Sequence, residues 1–177
     1  EDGTIQRSLE KRGIAYTGSQ ARPSHNAFDK DLTKRILRHH RVPTPLSVVV
    51  KRSDFKKKLK DFPFPVFSKP VADGSSIGVY LVMSYEDFLR DARKIFGREK
   101  ALLVEKKVTG REVTVGILKD RALPPVELRP KGIFYDYKCK YTKGATEYLV
   151  PAPLSAALTR KAQAMALRAH RALKLRD

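Results

Sequence analysis

The feature that most restricts the fold is Phe67–Val82, FSKPVADGSSIGVYLV, where two strand-like runs flank a short glycine-serine loop. Val66–Lys69 and Gly78–Met83 carry β-branched and aromatic residues of the kind enriched in strands. Strands joined this closely pair antiparallel, because a parallel return needs a long crossover. The loop also gathers what phosphate oxygens bind. Lys69 is a cation at a strand end, Gly74 allows close backbone approach, and Ser75 and Ser76 add hydroxyl donors. A P-loop is absent, since no G-x-x-x-x-G-K-[ST] occurs. From this segment alone, a phosphate loop and a plain hairpin with an exposed lysine both stay open.

Around that pair, periodicity predicts alternating elements. Thr4–Arg12 reads as a short helix closed by Gly13, Ile14–Thr17 as a strand end, and residues 18–26 as a loop. Asp29–His40 is an amphipathic helix ended by Pro43 and Pro45, and Leu46–Val50 is a strand. Ser53 is the expected N-cap of a helix over Asp54–Asp61, and Ser84 that of a helix from Tyr85 to Phe96, stopped by Gly97. Ala101–Lys106, Glu112–Leu118 and Val126–Arg129 read as strands. Ile133–Tyr148 is a long polar-aromatic loop whose length hints at function, and Ala156–Lys174 is an alanine-rich helix. The order predicts an α+β (or α/β) class with mostly antiparallel sheets and a boundary near Gly110.

Composition excludes some functions. No apolar run reaches the roughly 20 residues that span a bilayer, and no signal-peptide pattern opens the chain. One cysteine, Cys139, rules out an internal disulfide framework and fits a reducing cytoplasm. Lys+Arg outnumber Asp+Glu by 37 to 19, a net charge of +18. The cations are spread along the chain without zinc spacing or an aromatic-basic ribonucleoprotein pattern, so specific nucleic-acid binding is not expected, while affinity for polyanions is. The chain begins at Glu1-Asp2-Gly3-Thr4 without methionine and stops just after a helical pattern, which leads us to expect a piece of a longer protein.

Further candidates lie outside the loop. Glu105 and Glu112 flank the linker Lys106–Arg111, which can offer backbone groups to a flat base while a carboxylate takes a ribose hydroxyl; taken alone, the segment reads better as an ordinary charged connection. Asp29–Lys30 is a surface pair or contributes a second phosphate cation. Lys140 and Tyr141 belong to a solvated turn or to a lid. The four histidines show no metal-ligand spacing.

In order, EDGTIQ (1–6), GIAYTGS (13–19), DKDLTK (29–34), VPTP (42–45), FSKPVADGSSIGV (67–79), VEKKVTGREVTVGIL (104–118), PPVEL (124–128), FYDYKCKYTKGATEY (134–148) and PAPL (151–154) resemble the D-alanine–D-alanine ligases, ATP-grasp enzymes of peptidoglycan precursor synthesis. The resemblance implies an ATP-grasp fold of two lobes. Residues 1–21 would be a remnant of an N-terminal substrate domain, 22–109 the small lobe with the glycine-rich loop, and 110–177 part of the large lobe. It implies that Lys30 and Lys69 reach the ATP phosphates, that Gly74, Ser75 and Ser76 close over them, and that Ser75 also positions substrate. Glu105, Lys106 and Val108 would contact the base and Glu112 the ribose. Lys140 and Tyr141 would map onto a mobile loop, the lysine nearing the γ-phosphate and the tyrosine pairing with Ser75. Tyrosine at 141 favours dipeptide synthesis over the D-lactate branch. Cofactors would be ATP and Mg2+ (or Mn2+), with D-alanine as substrate, a homodimer as the full-length state, and a cytoplasmic role in cell-wall and cell-shape maintenance.

The sequence also departs from that pattern. Lys107 replaces an aromatic, Lys138–Cys139 a Glu-Ala, and Ser68 a valine. The family's substrate-anchoring glutamate, catalytic arginine and metal-binding carboxylates have no counterpart within residues 1–177. The expectation is therefore that this stretch alone lacks ligase activity. The alternative is a non-catalytic remnant that binds ATP or other polyanions.

Overall fold

A computed structural model describes residues 2–176. Three helices come first: α1 (Thr4–Lys11), α2 (Ala21–Phe28) and α3 (Lys30–His39). The segment read as a loop over residues 18–26 is thus mostly helix. Pro23 sits in its first turn, where a missing N–H costs nothing, and α2 gains stability from packing on α1, α3 and the last helix of the chain. Ile14–Thr17 is not a strand. The Arg12, Gly13 and Ile14 amides turn back to carbonyls of α1, and the Tyr16 hydroxyl donates to Glu10 at 2.6 Å.

Pro45–Thr109 forms one compact unit, and the chain before and after it forms another. The middle unit holds β1 (Ser47–Lys51), α4 (Phe55–Leu59), β2 (Val66–Pro70), β3 (Tyr80–Val82), α5 (Tyr85–Phe96) and β4 (Ala101–Lys106). Its sheet runs β1-β4-β2-β3, antiparallel throughout, with β2 and β3 adjacent as their short connection requires. Period-2 alternation decides its faces. Val50, Val66, Val82, Leu102 and Val104 point to one side, where Phe55, Leu59, Phe88, Ile95 and Phe96 from α4 and α5 complete the core. Phe67, Lys69 and Glu105 therefore point to the other side. Ser84 caps α5 by accepting the Asp87 N–H at 3.0 Å. The cap of α4 is Asp54 rather than Ser53, and its carboxylate accepts the Lys51 N–H at 2.7 Å instead of capping the helix.

The other unit adds β5 (Glu112–Thr114), β6 (Ile117–Leu118), β7 (Arg121–Ala122), β8 (Val126–Pro130), α6 (Tyr137–Tyr141), β9 (Thr146–Leu149) and α7 (Ala156–Leu173). The single strand expected over Glu112–Leu118 breaks after Thr114. β5 joins the sheet β5-β8-β9, while β6 folds onto β7 through Lys119 and Asp120, both with positive φ. The long loop expected over Ile133–Tyr148 contains α6 and β9. Asp136 caps α6 through the Cys139 N–H at 2.8 Å, and the Thr146 hydroxyl donates to the Cys139 carbonyl at 2.7 Å, fixing helix to strand. Gln163 of α7 donates to the Ala122 and Leu123 carbonyls, which docks that helix on β7. Together the helices and antiparallel sheets make the α+β class that the pattern predicts.

Candidate functional site

Lys69, Gly74, Ser75, Ser76, Glu105, Lys106 and Val108 all lie in the middle unit. Register explains how two of them meet. Phe67 faces Glu105 and Lys69 faces Leu103, so Lys69 and Glu105 are diagonal neighbours on the sheet face that α4 and α5 leave uncovered. The Lys69 ammonium donates to Glu105 Oε1 at 2.7 Å, and both side chains are largely buried, 21% and 15% exposed. The Lys106 N–H donates to the Leu46 carbonyl at 2.9 Å and the Lys107 N–H to the Pro65 carbonyl at 2.9 Å, which pins the strand end leading to the exposed Val108.

Between β2 and β3 the chain makes a tight turn. The Ile77 N–H donates to the Gly74 carbonyl at 3.1 Å, and the two central residues, Ser75 and Ser76, have φ of 55° and 60°. That is the φ signature of a type I′ hairpin turn, with serines where glycine or asparagine is usual. The Gly74 N–H donates to the Asp73 carboxylate at 2.6 Å. Gly78 is a position that needs glycine: its φ is 67°, and a Cβ there would stand 3.0 Å from Pro70 Cγ. The segment is a hairpin, but its lysine is largely buried against Glu105 rather than exposed as the plain-hairpin reading expects.

Lys30, Glu112, Lys140 and Tyr141 lie in the other unit. Lys30 opens α3, whose cap is the Asp29 carboxylate accepting the Leu32 N–H at 2.9 Å; Asp29 is thus committed to the helix end. Glu112, Lys140 and Tyr141 converge on Tyr135. The Lys140 ammonium lies 5.4 Å from the Tyr135 ring centre, within cation–π range. The Tyr137 and Tyr141 rings are 4.7 Å apart on α6. The Tyr135 and Tyr148 hydroxyls are 2.9 Å apart. That bond, with burial and the nearby negative charge of Glu112, pushes the Tyr135 hydroxyl up to about 12. Tyr135 and Tyr148 were not among the residues singled out from sequence. The available signal was the density of tyrosines across Phe134–Tyr148, but the pairing depends on β9 lying beside β8.

Beside this cluster, the buried Glu127 carboxylate of β8 accepts from Arg111 Nε at 3.0 Å and Arg129 Nε at 3.1 Å, and also pairs with Arg111 Nη2. The Arg111 bonds lead in holding it down at about 2, against the opposing effect of burial. Arg111 also donates to the Pro153 carbonyl at 3.1 Å, so this ion pair ties β5, β8 and the approach to α7 together. Among the described residues no group of three or more His, Cys, Asp or Glu could hold a metal ion.

The D-ala D-ala ligase C-terminus family matches residues 37–177, most of the chain. This chain belongs to that family. The D-alanine–D-alanine ligase of Methylacidiphilum infernorum (isolate V4) is 44% identical over 173 residues, covering 98% of this chain and 56% of the relative. Among solved structures, the D-alanine–D-alanine ligase from Bacillus anthracis superposes with a TM-score of 0.84 at 31% identity, covering 99% of this chain and 58% of that one. The Bacillus anthracis ligase complexed with ATP gives 0.81 at 30% identity, covering 99% and 57%. The fold is thus that of the D-alanine–D-alanine ligases, the ATP-grasp fold that the motifs imply. The chain spans little more than half the length of the ligases it matches.

Proposed function

We propose that this chain supplies much of the nucleotide-binding part of an ATP-dependent D-alanine–D-alanine ligase. The observation that carries this reading is the Lys69–Glu105 pair beside the serine turn, in a chain of the ligase family. Residues 1–21 would be a remnant of the substrate domain, 22–109 the small lobe and 110–177 part of the large lobe. Lys69 and Lys30 would bind ATP phosphates, with Gly74, Ser75 and Ser76 closing over them. Glu105, Lys106 and Val108 would hold the base and Glu112 the ribose. Lys140 would approach the γ-phosphate, and Tyr141 would pair with Ser75.

The chemistry follows from a poor electrophile. A carboxylate resists attack by an amine, so an oxygen of the first D-alanine carboxylate bonds to the γ-phosphorus and ADP departs. The amine of a second D-alanine then attacks the carbonyl carbon of the D-alanyl phosphate. Inorganic phosphate leaves and the amine loses its proton, forming D-alanyl-D-alanine for peptidoglycan. Phosphoryl transfer depends mainly on positioning and on neutralising dispersed negative charge, and lysines and turn amides suit both tasks. Mg2+ or Mn2+ would normally assist, but the described residues do not fit such an ion. A cytoplasmic homodimer is part of this reading of the full-length protein.

A second reading, a non-catalytic polyanion-binding remnant, draws support from the added cations Lys107 and Lys138. ATP titration of the parent and of Lys69→Ala tests the shared core of both. An affinity loss of at least tenfold supports the assignment, and unchanged affinity counts against it. Incubation with ATP, magnesium and D-alanine separates the two: the 177-residue chain is expected to release no phosphate coupled to dipeptide. Coupled release would overturn that expectation.

A further inference from the structure

The other unit contains an open cavity of about 830 Å³ that none of the candidate nucleotide-site residues lines. Its walls come from the cap and first turn of α2 (Gln20, Arg22, Pro23), the β6–β7 turn (Lys119, Asp120) and the end of α7 with the residues that follow it (His170, Arg171, Lys174, Leu175, Arg176). Among the described residues five arginines and lysines line it, Arg22, Lys119, Arg171, Lys174 and Arg176, together with His170, against one carboxylate, that of Asp120. That carboxylate is already used: Arg171 donates to it through Nε at 3.1 Å and Nη2 at 2.6 Å. Arg22 and Lys174 make no ion pair among the described residues.

The cations are held by backbone rather than dangling from one flexible arm. Lys174 is the left-handed cap of α7, with φ 57° and ψ 38°, and its N–H returns to the Arg171 carbonyl. Lys119, φ 49°, is set by the tight β6–β7 turn. The backbone of Arg176 is fastened on both sides, its N–H donating to Ser19 Oγ at 2.9 Å and its carbonyl accepting from the same hydroxyl at 3.1 Å. Gathering like charges on a concave wall costs self-repulsion, and a concave low-dielectric wall focuses the resulting field on a counter-anion. Arginine forks add directional bonds to phosphate oxygens.

We infer that this cavity binds a small multivalent phosphate anion, of the size and charge of an oligophosphate, independently of Lys69 and the β2–β3 turn. A single phosphate would engage only part of a wall this large and this basic, whereas linked phosphates can meet Arg22, Lys119, Lys174 and Arg176 together. Affinity should fall with added salt, since salt screens the attraction between exposed charges.

The test is calorimetric titration of the 177-residue chain with sodium tripolyphosphate at low salt, with amide chemical shifts mapping the site. The expected result is saturable binding with perturbations centred on Arg22, Lys119 and Lys174. Arg22→Ser should weaken binding about tenfold and Lys69→Ala should leave this site unaffected. Lys174→Gly is the folding control, because glycine suits the left-handed cap while removing the charge. It should weaken tripolyphosphate binding with an unchanged or raised Tm. Undiminished binding by Lys174→Gly and Arg22→Ser, or perturbations scattered over Lys56, Lys57 and Lys60 without saturation, would overturn the inference. So would binding of single-stranded RNA with none of tripolyphosphate.

Discussion

The Lys69 ammonium and the Glu105 carboxylate, diagonal neighbours on β2 and β4, meet at 2.7 Å on a largely buried sheet face. Removing Lys69 takes one charged partner from Glu105. Lys69→Ala should cost about 1–3 kcal/mol of stability, because a largely buried carboxylate loses this charge-assisted bond. Lys69→Ala/Glu105→Gln should cost less than Lys69→Ala alone. Urea unfolding of the two single variants and the double variant provides the measurement, and single losses that simply add in the double variant would mean the pair carries no coupling.

Ser68 is fully buried on the opposite face, and its hydroxyl has no partner among the described residues. It lies in register with Val104 and Tyr80, in an environment that favours an apolar side chain. Ser68→Val should stabilise the chain by about 1 kcal/mol by removing an unsatisfied hydroxyl. A thermal melt with a lower Tm for the variant would show instead that the space cannot take the extra volume.

Glu127 gives the acid side of the pH profile. Its folded value of about 2 lies below the ordinary 4.5, so the charged form is favoured by folding. Its contribution to stability is complete above about 4.5 and is lost as pH falls from there towards 2. Glu127→Gln should be clearly less stable than the parent at pH 7, and the gap should narrow at pH 3. Urea midpoints at the two pH values check this, and a constant gap would assign the loss to packing.

Tyr135 gives the alkaline side, with the opposite sign. Its hydroxyl is held up near 12, above the ordinary 10, so folding favours the neutral form. That contribution is present below about 10 and disappears as pH rises towards 12. Tyr135→Phe keeps the ring beneath Lys140 but breaks the bond to Tyr148. Ultraviolet titration of the parent should show a late-ionising phenol that the variant lacks. An identical titration curve would remove Tyr135 from that role.

Local pattern made much of the middle unit legible. The β2–β3 hairpin, the Ser84 cap and the alternating apolar residues of β1, β2 and β4 each depend on near neighbours or on period-2 burial. The motif strings around Lys69, Glu105, Glu112 and Lys140 likewise pointed to the ligase family, because close chemical contacts demand particular residue types at particular spacings. The misreadings have another cause. α2 has loop-like composition and is a helix because α1, α3 and α7 cover it; β9 is a strand because β8 offers it free backbone groups; β6 leaves β5 because the Lys119–Asp120 turn folds it onto β7. The chain by itself determined which chemistry is available: lysines, serines, tyrosines and carboxylates in a ligase order. Tertiary structure alone decided which of them touch, pairing Lys69 with Glu105 and Tyr135 with Tyr148, and gathering Arg22 with Lys174 across 152 residues of sequence, because strand register and helix docking are set by burial between distant segments.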